Sequence, residues 1–281
     1  MNALTPNISQ MSPSDRELSE IAAILMTHAG IVLAPGKGSM VQSRLQKRLR
    51  ALGLSSYRAY IDLVNSVDGL PERQEMISAL TTNVTNFFRE NHHFETLQKE
   101  ALPKLIAARG KRLRIWSAGC SNGQEAYSIL MTAAETVREF DQSDIKLLAT
   151  DIDPVMIRRG TQGVYSSSIL EAVPALLQKK YFQAAGADQQ VVDRLRKRAT
   201  FRELNIHSDW PMKGQFDIIF CRNMMIYFSP EAQNLLWKRF EKILAPGGWL
   251  FVGHSERVPL DTGSKLVPAG ITTYRLPAEG Q

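Results

Sequence analysis

Polar side chains follow three apolar segments that have the character of buried strands. A glycine-containing loop (119–123) comes after the first segment, Asp151 closes the second, and Arg222 and Asn223 follow the third. The carboxyl ends of parallel strands line one crevice, and ligands bind there in sheets of this kind. Glycine lets such a loop turn tightly and approach a ligand closely. We therefore expect one ligand site at this edge of the sheet.

The loop and the acid indicate what kind of ligand would fit. The loop has the spacing Gly-x-x-x-Gly (119–123), unlike the G-x-G-x-x-G of dinucleotide sites, and it lacks a P-loop lysine. This disfavours a phosphate and favours a nucleoside or an amino-acid group. Asp151, at the end of the second strand, is placed to accept hydrogen bonds from a ribose diol. Asp153 instead suits a helix N-cap, because Pro154 follows it.

The histidines and cysteines do not predict a second chemistry. His92 and His93 are adjacent, and we expect adjacent imidazoles on a helix to point apart. Without a spaced carboxylate or cysteine, we predict no metal site. Cys120 and Cys221 are the only cysteines and lie in apolar stretches, so we expect buried free thiols of a reducing compartment.

The elements that must position these residues alternate between strand and helix after about residue 110. Helix-length segments separate short apolar runs, which lie at 113–117, 145–150, 216–221, 249–252 and 271–276. This alternation predicts an α/β fold with a doubly wound, mostly parallel sheet and helices on both faces. A stretch at about 163–203 does not fit the alternation and is predicted to be a small inserted β subdomain.

The part before the sheet is predicted to be a small all-α domain, residues 1–80. Its first helix is predicted to start with Pro13 at the first helical position. A second, basic helix follows and ends at Gly53. Residues 81–105 are predicted to be a linker, and 106–281 to be the α/β domain.

The basic helix carries most of the chain's charge imbalance. Lys and Arg number 34 against 28 Asp and Glu, a net charge of +6, and no acidic residue lies between Glu20 and Asp62. Along 41–52 the apolar residues form one stripe, and cations cover the remaining surface. Solvated faces usually mix both signs, and the cations of this helix have no carboxylate three or four residues away. We predict a docking surface for an acidic partner, formed by Arg44, Lys47, Arg48 and Arg50.

Composition disfavours several other classes of protein. Apolar residues make up 44% and charged residues 22%, as in folded globular proteins. No apolar run approaches the roughly 18 residues of a membrane span, and the N-terminal residues show no secretory pattern. We expect a cytoplasmic protein without membrane insertion. Nucleic acid would also attract the basic helix, but no aromatics interleave its cations and no groove-reading motif is present.

Five segments together resemble one family. They are Asn-Val-Thr-Asn-Phe-Phe-Arg-Glu (83–90), Trp-Ser-Ala-Gly-Cys-Ser-Asn-Gly-Gln-Glu-Ala-Tyr-Ser (116–128), Ala-Thr-Asp-Ile-Asp (149–153), Phe-Asp-Ile-Ile-Phe-Cys-Arg-Asn-Met-Met-Ile-Tyr-Phe (216–228) and Gly-His-Ser-Glu (253–256). In this order they resemble the CheR-type chemotaxis receptor methyltransferases. The resemblance implies a class I methyltransferase fold, S-adenosyl-L-methionine as cofactor with S-adenosyl-L-homocysteine as product, and methyl esterification of glutamates on the cytoplasmic helices of chemoreceptors.

The resemblance also implies roles for individual residues. Those that would bind the cofactor come from the linker and the strand ends: Asn83, Thr85, Arg89, Gly119, Glu125, Asp151, Asn205, Ile206, Arg222 and Asn223. Among them, Glu125 would bind the amino-acid end, Asp151 the ribose, and residues 205–206 the adenine side. Arg89 and Tyr227 would lie nearest the reacting groups and are the predicted catalytic residues.

Two features refine the implied activity. Family members that tether to a receptor C-terminal pentapeptide carry a lengthened Gly-rich turn in the inserted β unit. Here the stretch 181–192 contains a single glycine, Gly186, so we predict an enzyme that acts without pentapeptide tethering. Methylation of a carboxylate needs no general base, so no catalytic histidine is expected.

Two alternatives remain open at the level of sequence. One is a methyltransferase acting on nucleic acid or a small molecule, although Asn-Met-Met-Ile-Tyr (223–227) differs from the Asn/Asp-Pro-Pro-aromatic run of amino-methylating DNA enzymes. The other is a non-catalytic receptor-binding module that senses the cofactor.

Overall fold

The structure is a computed structural model that describes residues 12–260 and 263–278. Its contacts divide the chain into two units. The first, called here the helical unit, contains the residues up to Thr82 together with Tyr227–Ser229. The second, called the sheet unit, contains 83–226 and the residues from Pro230 onward.

From residue 12 onward, where the structure describes it, the helical unit contains four helices: α1 (Asp15–Ala29), α2 (Gly38–Leu52), α3 (Tyr57–Asn65) and α4 (Leu70–Leu80). A capping box starts α1: the Ser14 side chain accepts the N–H of Glu17, whose carboxylate accepts the N–H of Ser14 at 2.8 Å. Because this box satisfies donors of the first turn, the helix begins at Asp15. Pro13 therefore precedes the helix, contrary to the predicted first helical position.

The predicted apolar stripe of α2 forms part of the core of the helical unit. Val41, Leu45 and Leu49 are fully buried, as the helical spacing of these residues requires. The helix ends at Gly53, which has a φ of 66°. The left-handed conformation costs glycine little energy, and it lets the chain leave the helix at this position.

The described residues of the sheet unit form ten strands, in chain order β1 (Arg112–Ala118), β2 (Asp144–Asp151), β3 (Val164–Tyr165), β4 (Phe182–Ala185), β5 (Asp188–Val191), β6 (Ala199–Glu203), β7 (Phe216–Cys221), β8 (Leu244–Val252), β9 (Val267–Gly270) and β10 (Thr273–Arg275). Seven of them form one sheet in the order β6-β2-β1-β7-β8-β10-β9. The first five strands of that order run parallel, and β10 is antiparallel to both of its neighbours, β8 and β9. The predicted mostly parallel sheet is confirmed.

Strand order locates the crevice of this sheet. The chain passes from β1 to β2 and β6 on one side, and then to β7 and β8 on the other. The direction of winding reverses at β1, so a ligand crevice is expected beyond the carboxyl ends of β1 and its neighbours. The loop after β1 turns at Gly119, which has a φ of 74° and where an added Cβ would lie 2.9 Å from the Met224 Sδ. Only glycine combines that angle with that close approach.

The two cysteines lie at strand ends within this core. Cys120 follows β1, and Cys221 is the last residue of β7. Both are buried free thiols, as predicted, and burial raises the pKa of each well above its usual range.

The helices of the sheet unit are α5 (His92–Thr96), α6 (Leu102–Arg109), α7 (Gln124–Thr136), α8 (Pro154–Gln162), α9 (Ser167–Leu170), α10 (Ala175–Tyr181), α11 (Asp193–Arg196) and α12 (Pro230–Ile243). A π-helical turn at Leu97–Ala101 joins α5 to α6, and Pro103, which has no N–H to bond the preceding turn, follows it. Of residues 81–105, predicted as a linker, those from Asn83 onward thus group with the sheet unit and are largely helical from His92 onward. Among the described residues, no helix combines the length and apolar content needed to cross a bilayer.

The stretch that broke the strand–helix alternation contains a second, small sheet. Its three strands are antiparallel in the order β3-β5-β4, and Gly186 and Ala187 form a two-residue turn between β4 and β5. The next strand, β6, pairs in parallel with β2 at the edge of the large sheet. The predicted bound at about 203 is therefore too late, because it includes a strand of the main sheet.

Candidate functional site

Asp151 closes β2 at the crevice and is 8% exposed. Its Oδ2 accepts the N–H of Ser121 at 2.7 Å, and its Oδ1 accepts the N–H of Asp153 at 3.0 Å. Burial raises the pKa of Asp151 to about 6, although both hydrogen bonds act to lower it. The Ile152 N–H also hydrogen-bonds this carboxylate. A carboxylate has about four acceptor positions, so these main-chain donors still leave acceptor capacity for the ribose.

Asn83 is held beside this strand end. Its Nδ2 donates to Asp153 Oδ2 at 2.8 Å, and its carbonyl oxygen accepts from Ser121 Oγ at 3.1 Å. The other oxygen of Asp153 accepts the N–H of Val155 at 2.8 Å, so the predicted N-cap of α8 is confirmed. Thr85, two residues after Asn83, is half-buried.

Arg222, directly after β7, connects three segments of the sheet unit. It is 5% exposed, and its guanidinium lies 3.3 Å from Glu125 Oε2 and 3.4 Å from Glu90 Oε2. It also donates to the carbonyl oxygen of Arg89 and lies over the ring of Phe94, 5.7 Å from its centroid. A buried cation is stable when it is paired and hydrogen-bonded in this way. Arg222 thus joins the end of β7 to the first turn of the helix after β1 and to residues 89–90 before α5.

The two carboxylates beside Arg222 differ in their electrostatics. Burial raises the pKa of Glu125, and Arg222 together with a 2.7 Å hydrogen bond from Ser117 Oγ only partly offsets that rise. Burial also acts to raise the pKa of Glu90, but Arg222 and hydrogen bonds from His254 and Asn223 outweigh it and hold the value at about 2. Glu90 is therefore a fixed anion, whereas Glu125 would gain from a cation such as an α-ammonium group.

Arg89 and Asn223 are the two predicted site residues next to Glu90, Arg89 along the chain and Asn223 through a hydrogen bond. The Nη1 of Arg89 donates to the carbonyl oxygen of Val84 at 2.8 Å, and the guanidinium has further donors for a carboxylate. Asn223 donates from Nδ2 to Glu90 Oε1 at 3.2 Å. Its φ of 56° is left-handed, a conformation that asparagine adopts more readily than most residues.

The predicted adenine-side residues are anchored to the end of β2. The N–H of Leu204 donates to the carbonyl oxygen of Asp151 at 2.9 Å. Asn205 Oδ1 accepts the N–H of His207 at 3.0 Å, forming a local turn. Ile206 is buried, and its carbonyl oxygen accepts from Trp210 Nε1 at 2.9 Å. The turn therefore places residues 205–206 directly after the strand that is paired with β2.

Two acids of the site received no role from the sequence. Glu90 pairs with Arg222, and Glu256 accepts main-chain N–H groups of the turn that follows Arg222. Both lie inside segments that carried the family resemblance, 83–90 and 253–256. The sequence shows each acid within a segment of predicted importance, but it does not show the partners of these acids, which are distant along the chain.

The reason given against a metal site does not hold in the structure. The rings of His92 and His93 lie 4.1 Å apart between centroids, and ligand atoms of Glu90 and both histidines lie within 4.8 Å of one another. Burial lowers the pKa of His93 to about 3, so that imidazole is neutral. However, the Arg222 guanidinium already pairs with Glu90 at 3.4 Å and would repel a divalent cation there, so we propose no metal.

Tyr227 groups with the helical unit. Its carbonyl oxygen accepts the N–H of Val32 at 2.8 Å, and its side chain is half-buried. The predicted catalytic role of Tyr227 stays a prediction. The residues that the structure does bring together, within the sheet unit, are Asn83, Arg89, Gly119, Glu125, Asp151, Arg222 and Asn223.

The cations of α2 are not equivalent. Arg48 pairs with Glu72 at 2.6 Å and with Glu75 at 3.0 Å, so the expectation of a helix without carboxylate partners is wrong for this residue. Both acids lie on α4, which no spacing rule within α2 could reveal. Arg44 donates to the carbonyl oxygen of Thr81 at 2.7 Å and so caps the C-terminal end of α4. The exposed cations of the predicted docking surface are therefore Lys47 and Arg50.

Comparison with known proteins identifies two regions of the chain. Residues 83–274 match the family model described as "CheR methyltransferase, SAM binding domain". Residues 16–81 match the model described as "CheR methyltransferase, all-alpha domain". Together the two models span both structural units and identify S-adenosyl-L-methionine as the cofactor of the sheet unit.

Curated relatives agree with these models. A probable chemotaxis protein methyltransferase of Rhizobium etli is 46% identical over 263 residues, which cover 92% of this chain and 98% of the relative. Chemotaxis protein methyltransferase 2 of Pseudomonas aeruginosa is 41% identical, over 85% of this chain and 86% of the relative. The chemotaxis protein methyltransferase of Escherichia coli is 38% identical, over 88% and 86%. With two family models and relatives similar over nearly their whole length, the chain belongs to the CheR methyltransferase family.

Proposed function

We propose that this protein is an S-adenosyl-L-methionine-dependent methyltransferase of chemotaxis that forms methyl esters on glutamate side chains of chemoreceptors, for adaptation. The observation that carries this proposal is the placement of polar groups at the carboxyl ends of the neighbouring strands β2, β1 and β7. Asp151 closes β2, and Arg222, directly after β7, lies 3.3 Å from Glu125 in the first turn of the helix that follows β1. This is the crevice of the sheet where a nucleoside cofactor would bind. The family and its relatives' names support a methyltransferase of chemotaxis.

The residues of the crevice fit the parts of this cofactor. Asp151 has acceptor capacity for the ribose diol, and Glu125, whose pKa is raised by burial, would take the α-ammonium group. Residues 205–206 follow the edge strand paired with β2 and would border the adenine. When bound, the cofactor supplies an electrophilic methyl group on a sulfonium.

The protein's own contribution to the reaction is positioning and exclusion of water. A glutamate carboxylate is already a nucleophile at neutral pH, so the chain need not supply a base. We infer that Arg89 orients that carboxylate through its guanidinium, and the role predicted for Tyr227 in shaping the methyl channel stays a prediction. Orientation of a well-placed reacting pair supplies up to about 7–11 kcal/mol. Because charge is neutralised as the methyl moves, a dry site favours the transition state over the separated ions.

The partner would be the acidic cytoplasmic helices of chemoreceptors, in transient complexes at receptor arrays. Exposed Lys47 and Arg50 on α2 offer positive charge to such helices. The hairpin between β4 and β5 turns in two residues, too short for the lengthened Gly-rich turn of pentapeptide-tethered enzymes. We infer that the enzyme acts without the pentapeptide, and tight binding of such a peptide in calorimetry would contradict this.

Incubation with methyl-labelled cofactor tests the activity. We expect base-labile label on purified receptor cytoplasmic fragments, as methyl esters require. Label on nucleic acid or on a small molecule would replace the proposal with the corresponding methyltransferase, and cofactor binding without any transfer would indicate a sensing module. Arg89→Ala should lose turnover at saturating cofactor, and wild-type turnover in this variant would refute the role of Arg89.

A double charge reversal tests the docking surface. Lys47→Glu with Arg50→Glu should raise the receptor KM by about tenfold or more, because attraction becomes repulsion, and affinity for S-adenosyl-L-homocysteine should stay unchanged. Lys213→Glu, at an exposed lysine of the sheet unit, is the matched control and should leave the receptor KM within about twofold. Equal effects of the two reversals on the receptor KM would contradict a surface on α2.

A further inference from the structure

Glu256 lies after β8 and is 4% exposed. Its carboxylate accepts four main-chain N–H groups, two on each oxygen. The donors to Oε2 are Gly253 at 2.6 Å and Asn223 at 2.9 Å, and the donors to Oε1 are Met225 at 2.7 Å and Met224 at 2.8 Å. A carboxylate offers about four acceptor positions, so main-chain donors of two separate segments use all of them.

The turn that Glu256 holds directly follows β7 and carries Arg222 and Asn223. Asn223 is left-handed, with a φ of 56°, a conformation that must be maintained by its surroundings. Three consecutive N–H groups, of Asn223, Met224 and Met225, converge on the one carboxylate. Such convergence is possible only while the turn keeps this conformation, because each N–H direction depends on the backbone angles around it.

Gly253 closes the same contact from the other side. A Cβ added at this position would lie 2.6 Å from the main-chain nitrogen of Asn223 and 2.7 Å from Glu256 Oε2. These distances are shorter than van der Waals contact, so the segment after β8 approaches the turn as closely as backbone atoms allow. Residues 253–256 thus pack closely against the turn.

We propose that Glu256 is a positioning residue of the cofactor site: its carboxylate fixes the turn that presents Arg222 and Asn223. The inference rests on the proposed role of those two residues in binding the cofactor. Glu256 acts through main-chain atoms only, so the identity of the side chains at 224 and 225 does not enter. An amide cannot replace it, because the NH2 group of Gln would face two N–H donors.

The test measures the dissociation constant of S-adenosyl-L-homocysteine by calorimetry for Glu256→Gln, at a temperature where the variant is folded. We expect a weakening of about tenfold or more, since two buried main-chain donors lose their acceptor. Glu241→Gln is the matched control. Glu241 also accepts a hydroxyl and a main-chain N–H, from Ser264 at 2.6 Å and Lys265 at 3.0 Å, and its loss should change the affinity less than twofold.

A double-mutant cycle separates positioning from general loss of stability. Asn223→Gly removes the side chain but tolerates the left-handed angle. If Glu256 acts through this turn, the weakening in the double variant is clearly less than the product of the two single effects. Purely multiplicative effects, or a Glu256→Gln variant that binds within about twofold of wild type, would overturn the proposal.

Two further variants keep the test decisive. Should Glu256→Gln not fold, Gly253→Ala takes its place, because the new Cβ pushes directly on the turn, and unchanged affinity in that variant would overturn the inference. If Asn223→Gly and Arg222→Lys both leave the affinity unchanged, the proposed cofactor site is wrong and this inference fails with it. If those two variants weaken binding and Glu256→Gln does not, only the role of Glu256 is wrong.

Discussion

The raised pKa of Asp151 makes cofactor binding depend on pH in a predictable direction. Burial places this pKa at about 6, and ribose hydroxyls donate hydrogen bonds to the ionised form. From pH 7 to pH 5 the ionised fraction falls from about nine-tenths to about one-tenth. We therefore expect the affinity for S-adenosyl-L-homocysteine to fall by about tenfold over this range.

The stability of the unliganded protein should change in the opposite sense. In the unfolded chain the pKa of an aspartate is about 3.9, lower than the value of about 6 in the folded protein. Between these values the folded state binds more protons, so the free energy of unfolding falls as the pH rises from about 4 to 6. The full effect is at most about 3 kcal/mol, since one pKa unit corresponds to about 1.4 kcal/mol.

Calorimetric titration across pH 5 to 7 measures the binding effect. Asp151→Asn should bind more weakly at pH 7 and lose most of the pH dependence. The matched control is Asp144→Asn, because Asp144 starts the same strand at its exposed end; this variant should keep the wild-type profile. A wild-type affinity that does not change between pH 5 and 7, or an Asp151→Asn profile parallel to the wild type, would refute the assignment of Asp151 to the ribose.

Two predictions concern the helical unit. Glu72→Gln should lower the free energy of unfolding by about 2–3 kcal/mol, because Glu72 is 7% exposed and accepts two hydrogen bonds from Arg48. The control is Glu75→Gln, at the exposed partner of the same arginine, which should lower it by less than about 1 kcal/mol. Equal losses for the two variants in denaturant unfolding would contradict this reasoning. Gly69→Ala should lower the free energy of unfolding by about 1–3 kcal/mol or more, since the added Cβ would lie 1.8 Å from a carbonyl oxygen of α3. The control is Gly214→Ala, where nothing lies within 4 Å of the added Cβ, and its melting temperature should stay within a few degrees of wild type.

The large sheet and the core stripe of α2 could be predicted from the sequence because both depend on local periodicity. Each of the strands β1, β2, β7 and β8 is an unbroken run of mostly apolar residues, so its burial can be predicted without knowledge of distant residues. The short strand β6 could not be predicted, because only Phe201 of its five residues is buried. Its membership in the sheet comes from pairing with β2.

The site was predicted less completely than the sheet for a related reason. Asp151, Arg222 and Asn223 could be named because Asp151 is the last residue of an apolar strand and the other two come directly after one. The ion pairs of Arg48 with acids of α4, and of Arg222 with Glu90, join positions far apart in the chain. The role of Glu256 depends on main-chain donors, which leave no trace in the types of the donating residues. Such contacts follow from tertiary packing, which a single sequence does not specify locally.

The two cysteines have a practical consequence for experiments on this enzyme. Cys120 and Cys221 are inaccessible, and burial holds both as neutral thiols, which are poor nucleophiles. Maleimide and iodoacetamide reagents should therefore spare the native protein. A third cysteine introduced on the exposed face of α2 would accept a fluorophore or spin label at a single position, and partner association could then be followed with both native thiols left in place.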